Sequence, residues 1–189
     1  MHKHSKSLFI FRRDLRLHDN TALIRALENS TQVMPCFIFD PRQIDDQPYR
    51  GNPSVAFLIA SLQDLQIQLN KVGARLFIFY GQADVVVDRL LSQEKINAVF
   101  VNDDYTPFSQ MRDRMIADVC KRNGVSFQAS HDALLNPPDD VAKDDGSFYT
   151  VYTPYARKAM MLKVESPWNN TFRNYFTINS VLYFKMRDP

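Results

Sequence analysis

Three aspartates stand where apolar runs give way to polar residues. Asp40 follows Phe37-Ile38-Phe39, and Asp103 and Asp104 follow Val99-Phe100-Val101-Asn102. Phe57, Tyr105 and Phe108 lie close to them in the chain order of strand ends and helix starts. Carboxylates accept hydrogen bonds and aromatic faces stack, so such a set suits a flat, polar heteroaromatic ligand with ring N–H or O–H groups. A plainer reading also stands, in which Asp103 or Asp104 caps a helix and the aromatics pack in the core. Other chemistries find less support. No G-x-G-x-x-G or Walker-type stretch follows the first apolar run, and no Cys/His set has zinc spacing. His2 and His4 belong to a polar start, His18 lies near a helix cap, and His131 has no nucleophile beside it. Structural roles are expected for these histidines, and no residue is assigned as catalytic.

The elements that would carry these residues alternate regularly. Leu8-Phe9-Ile10-Phe11 reads as a strand buried on both faces. A charged loop follows, with Arg12, Arg13, Asp14 and Arg16, whose simplest reading is a solvated set of ion pairs. Asp19-Asn20 supplies an N-cap for the amphipathic run from Thr21. Residues 32–40 read as a second strand made irregular by Pro35, and residues 42–52 as loop. Leu58, Leu62, Leu65, Leu69 and Val72 form one apolar stripe of a long helix that starts at Pro53 and closes at Gly73. Residues 75–80 give a third strand, 84–92 a helix with Val86, Val87, Leu90 and Leu91 inward, and 98–101 a fourth strand. Pro107 starts a further helix with Phe108, Met111, Met115 and Val119 as its buried face; Asn123-Gly124 ends it, and 125–129 is a fifth strand. Such alternation implies a parallel sheet with right-handed crossovers and helices on both faces.

Composition agrees with a globular α/β domain: 189 residues, 45% hydrophobic, 23% charged. A formal net charge of +2 gives no electrostatic argument for nucleic-acid binding. No apolar run approaches membrane-spanning length and no signal peptide is visible, so no membrane partner is expected. Cys36 and Cys120 fall in a strand and a helix, so buried free thiols and a cytoplasmic setting are expected.

Four stretches resemble one family. Phe-Arg-Arg-Asp-Leu-Arg-Leu-His-Asp-Asn, residues 11–20, is similar to the opening of the DNA photolyase and cryptochrome family. Asn102-Asp103-Asp104-Tyr105-Thr106-Pro107-Phe108 with Arg112-Asp113 resembles the segment bordering its light-harvesting antenna pigment. Residues 57–65 resemble the long helix after the second strand, and residues 148–155, with Gly146 ahead, the exit from the first domain. The resemblance runs from residue 7 to residue 163. It implies a Rossmann-like, three-layer, doubly wound sheet of five parallel strands in the order 3-2-1-4-5. It also implies an antenna domain over residues 1–164, with a divergent tail over 165–189 that is expected to lie outside the ancestral frame.

The family's helical domain, which binds FAD and flips damaged DNA into a pocket, has no counterpart expected here. The chain alone is therefore expected not to repair pyrimidine dimers, nor to bind DNA directly. Folate-binding relatives carry an Asn-Glu pair where Phe108 and Ser109 stand, so a deazaflavin or FMN is the better pigment than folate, although relatives of that kind often have arginine in place of Ser54. Such a ring would stack on Phe57 and bond to Asp104, with Asp40, Tyr105 and Phe108 around it. A helical-domain polypeptide, or a second copy, is expected on the face formed near Arg12 and Leu17 and by residues 148–160. The tail aromatics Trp168, Phe172, Tyr175, Phe176, Tyr183 and Phe184 are candidates to cover that face. A non-enzymatic α/β binding module and a cryptochrome-like photoreceptor fragment are the competing readings.

Overall fold

The structure, a computed structural model, describes residues 3–44 and 51–177. Strands β1 (His4–Phe11), β2 (Ser30–Phe39), β3 (Phe77–Tyr80), β4 (Ala98–Asn102) and β5 (Ser126–Ser130) form one parallel sheet in the order β3-β2-β1-β4-β5. Strand order reverses at β1, as the doubly wound pattern requires. Alternate residues of β1 point to opposite faces. Leu8 and Ile10 enter a core with α4 (Ala83–Glu94) and α5 (Pro107–Arg122). Phe9 and Phe11 enter a core with α1 (Thr21–Asn29) and α3 (Asn52–Lys71). The result is the expected three-layer α/β arrangement. Among the described residues no helix is long and apolar enough to cross a membrane.

Local chemistry sets the element ends. Asn20 is the N-cap of α1, its side-chain oxygen accepting the Leu23 N–H at 3.1 Å. Thr106 caps α5 in the same way from Ser109, with Pro107 behind it. Gly73 and Gly124 follow α3 and α5 at φ of +72° and +66°, a conformation glycine adopts without strain. Pro35 is tolerated inside β2 because of where its missing donor falls. Alternate N–H groups point to the same side, and that of Val33 points toward the chain's tail. β3 begins only opposite Cys36, so no ladder bond is lost at Pro35.

Several expectations shift. β2 starts at Ser30 and β3 at Phe77, and residues 41–44 form a short helix, α2 (Pro41–Ile44), where loop was expected. Pro48, in the rest of that loop, and His2 lie outside the described residues. In α3 the stripe is buried at Leu62, Leu65 and Leu69 but only partly so at Leu58 and Val72. The α5 face is rotated: Ser109, Arg112, Ile116, Val119 and Cys120 are buried, while Met111 is exposed. Hydrophobic periodicity misses this register because an arginine holds one of the inward positions. A 3₁₀ turn (Pro138–Val141) and α6 (Tyr152–Met160) complete the elements, and α6 has no buried residue.

Among the described residues the tail makes no hydrogen bond to α6. Its hydrogen bonds to the rest of the chain run instead along α1 and β2. Trp168 exchanges bonds with Asp19, and Asn170 Nδ2 donates to the Leu17 carbonyl at 3.0 Å. Tyr175 bridges Val33 in parallel and is buried, so residues 174–176 fill the edge of β2 that β3 leaves open. Phe176 packs on Phe77, with the Lys6 ammonium 3.5 Å from its ring centroid. Tyr183 and Phe184 lie outside the described residues.

Asn174 Nδ2 donates to the Leu27 and Ser30 carbonyls at 2.9 and 2.7 Å, closing the end of α1. Asn174→Ala leaves both acceptors without that donor and is expected to cost about 1–3 kcal/mol in equilibrium urea unfolding. An unchanged midpoint would show that the strap contributes nothing to the folded unit.

Candidate functional site

The carboxyl ends of β1 and β4 are joined by a polar knot. The Asn102 amide nitrogen donates to Asn20 Oδ1 at 2.9 Å and to the Asp14 carboxylate. Asn102 Oδ1 accepts the Ala22 N–H at 2.9 Å. Asn20 Nδ2 donates to Asp14 Oδ2 at 3.1 Å, and Asp14 Oδ1 accepts the Arg12 N–H at 2.9 Å. Arg16 pairs with Asp132 at 2.8 Å, and Asp132 accepts the Thr21 N–H. The loop expected to be solvated is thus tied to β4, to α1 and to the segment after β5.

Beside this knot a cavity of about 590 Å³ opens at the carboxyl edge of the sheet. Its walls are the exit of β1, the end of β2, the first turns of α3 and the start of α5. Such a volume suits a ligand of cofactor size. Asp40, Asp104 and Phe108 border it. Phe57 and Tyr105 do not, so the structure does not bring Phe57 to the cavity with Asp40 and Asp104. Phe57 is 75% exposed and borders a separate surface hollow with Arg13 and Arg16. Its neighbour Leu58 takes the cavity position, since adjacent helical residues differ in direction by about 100°. Tyr105 stacks on His131, with ring planes 5° apart and its hydroxyl 3.1 Å from Nδ1, and Asp103 approaches the same nitrogen at 3.3 Å. His131 is held structurally there.

The acceptors at the cavity are largely occupied. Asp40 takes a fork from Arg42 at 2.9 and 2.6 Å, the Arg42 N–H at 3.0 Å and the Ala83 N–H at 3.3 Å. Burial by itself would raise its pKa, but these donors outweigh it and carry the carboxyl below the ordinary 3.8. Asp104 accepts from the Ser109 hydroxyl at 2.9 Å, from the Thr106 N–H at 3.3 Å and from Arg13 at 3.4 Å. There too burial pushes upward and is outweighed by the Ser109 hydroxyl, the Thr106 N–H and the charges of Arg13 and Arg112. Two guanidinium groups approach the Phe108 ring, with Arg42 5.3 Å and Arg112 6.0 Å from its centroid. Sequence reasoning missed Arg12, Arg112 and Ser109 as cavity residues. The spacing 109, 112, 116, 120 held the signal for the α5 residues: an inward stripe whose first two members are polar.

The DNA photolyase family model matches residues 7–169. The chain belongs to the DNA photolyase family. A photolyase structure from Sulfolobus tokodaii, containing two FAD molecules, superposes with a TM-score of 0.82 at 40% identity, over 90% of this chain and 38% of that one. A Synechococcus deoxyribodipyrimidine photolyase is 35% identical over 148 residues, 78% of this chain and 30% of the relative. An uncharacterized 31.6 kDa Synechococcus protein is 34% identical over 160 residues, 85% of this chain and 56% of its own length. The chain therefore spans about a third of the photolyase relatives and just over half of the shorter protein. Within the photolyase family frame, the cavity falls beside β1, the strand at which the sheet order reverses.

A carboxyl whose folded pKa is depressed stabilises the fold above its ordinary pKa and loses that contribution as pH falls through the folded value. Asp40→Asn removes the titrating group. Its stability deficit against wild type, about 1–3 kcal/mol, should hold near neutrality and narrow below about pH 4. Urea unfolding of both proteins from pH 7 to pH 3 checks this, and a pH-independent deficit would contradict the ion pair.

Proposed function

We propose that this chain is the antenna-pigment-binding unit of a photolyase-type system for light-driven repair of UV-damaged DNA. The observation that carries the reading is the cavity at the carboxyl edge, bordered by Phe108, Asp40 and Asp104. When bound, a flavin-type pigment absorbs light and passes its energy on. The chain's own residues position the ring: Phe108 offers an aromatic surface, and Asp104 keeps acceptor capacity beyond its three present donors. The two FAD molecules of the Sulfolobus relative favour a flavin, as does the Phe108-Ser109 pair at the place where folate-binding relatives carry Asn-Glu. FMN and a deazaflavin are the candidate pigments. Repair itself is assigned to the stretch of the relatives' chains that this chain does not span.

Freshly purified protein should carry, or take up when supplied, a pigment absorbing in the near-ultraviolet or blue, identified by mass spectrometry after denaturation. Protein that stays colourless and binds neither FMN nor a deazaflavin would contradict the reading.

A partner surface is proposed on α6. Tyr152, Met160 and Met161 are strongly exposed, and among the described residues no hydrogen bond of the tail reaches this face. A helical-domain polypeptide or a second copy would bury these side chains. Sedimentation velocity over a range of concentrations should show self-association that Met160→Glu weakens. A monomer at every concentration, unchanged by the substitution, would remove the second copy as the occupant.

A further inference from the structure

All five strands begin, and α1, α3, α4 and α5 all end, at the edge of the sheet opposite the cavity. Six cations gather there. Lys71 stands in the last turn of α3, Lys121 and Arg122 in the last turn of α5, and Lys95 is the C-cap of α4. Arg75 and Lys3 lead into β3 and β1. All six residues are exposed, and among the described residues none has an ion-pair or hydrogen-bond partner for its side chain. Asn97 draws the central ones together. Its N–H donates to the Lys6 carbonyl at 2.8 Å, and its own carbonyl accepts the Ser126 N–H at 3.1 Å. The stretches leading into β1, β4 and β5 are therefore neighbours.

The carboxylates of this edge do not offset the set. Glu94 pairs with Lys6 at 2.6 Å, Asp88 accepts from the Asn123 amide at 2.9 Å, and Glu28 borders a hollow between α1 and the tail. Asp118 stands one turn back from Arg122 on α5. Cations at helix C-termini complement the helix dipole, but four helix ends amount to only about two negative charges. The formal net charge of +2 conceals this edge because acids collect at the opposite one. There Asp14, Asp40, Asp104 and Asp132 hold helix starts and arginines.

We propose that this amino edge of the sheet binds the phosphate backbone of duplex DNA without reading its sequence. Neighbouring strands lie about 4.8 Å apart, so the edge from β3 to β5 spans about 19 Å. Along that length of axis a duplex carries about ten phosphate charges. Exposed cations on long side chains, with free donors, suit phosphate contacts rather than base edges. An anionic membrane is the other surface such charge could meet, but membrane docking needs apolar side chains beside the cations. Among the described residues no exposed large apolar side chain falls in residues 3–6, 71–76, 92–97 or 119–126. This surface is independent of the cavity and its ligand. The total charge gives no expectation of DNA binding; its distribution does.

Fluorescence anisotropy of a labelled, undamaged DNA duplex, titrated with the full chain at several salt concentrations, tests this. Log K should fall against log salt with a slope of about −4 to −5, as four to six phosphate contacts require. Lys121→Gln/Arg122→Gln should make that slope shallower by about 2. Lys158→Gln/Lys163→Gln removes the same amount of charge on and just after α6, which packs on the 3₁₀ turn beyond the carboxyl end of β5, and should leave the slope unchanged. Where thermal melting shows that the first pair unsettles the fold, Lys71→Gln/Arg75→Gln carries the same expectation. Absence of binding at low salt overturns the proposal. So does an equal effect of the two double substitutions, which reduces the interaction to net charge. Co-sedimentation with anionic phospholipid vesicles, without DNA binding, overturns it in favour of a membrane surface.

Discussion

Asp14, Asn20 and Asn102 form the contact on which the rest of the site depends. One carboxylate and two amides meet at the carboxyl ends of β1 and β4, the two strands between which the chain turns from one half of the sheet to the other. Each amide binds at two ends: Asn20 caps α1 while holding Asp14, and Asn102 takes the Ala22 N–H while holding Asn20. A buried network of this kind is stabilising when every member is satisfied, and a missing member leaves the others unpaired in a low-dielectric interior. By fixing Asp14 it also fixes the backbone of Arg12, and so one wall of the cavity.

The electrostatics of the cavity invert the first impression given by residue types. The aspartates at the strand ends look like acceptors waiting for a ligand, yet they hold helix starts and arginines. Asp40 bridges the N-terminal ends of two helices, and Asp104 braces the first turn of α5. The arginines look like members of a solvated loop, yet Arg12 is buried and retains a donor. Residue type signals the class of contact a group can make. Which partner satisfies it is a matter of three-dimensional neighbours that lie about 90 residues apart in the chain, as Arg12 and Asn102 do.

Much of the fold was legible because each strand is a short apolar run and each helix carries a periodic face. The Asn20 cap and the closing glycines at 73 and 124 follow from those local signals, while the strand order rests on the family resemblance together with the crossover rules. The failures have equally local causes. Phe57 reads as the cavity residue and Leu58 as core, a choice that depends on a helical rotation sequence spacing cannot anchor. Arg112 occupies an inward slot of α5, so a hydrophobicity count reads the face one position off. The tail escaped because Asn170 and Asn174 bind main-chain carbonyls, a device that leaves no periodicity to read.

The claim at the centre is that the cavity beside the knot is the ligand site of this domain. Amide chemical-shift mapping during an FMN titration tests it directly, because it locates binding without presupposing function. The account predicts that the perturbed amides cluster at Asp40, Val55, Asp104 and Ser109 and spare both α6 and residues 168–176. Perturbations centred on α6 or on the hollow beside Phe57, with the cavity amides unmoved, would contradict it.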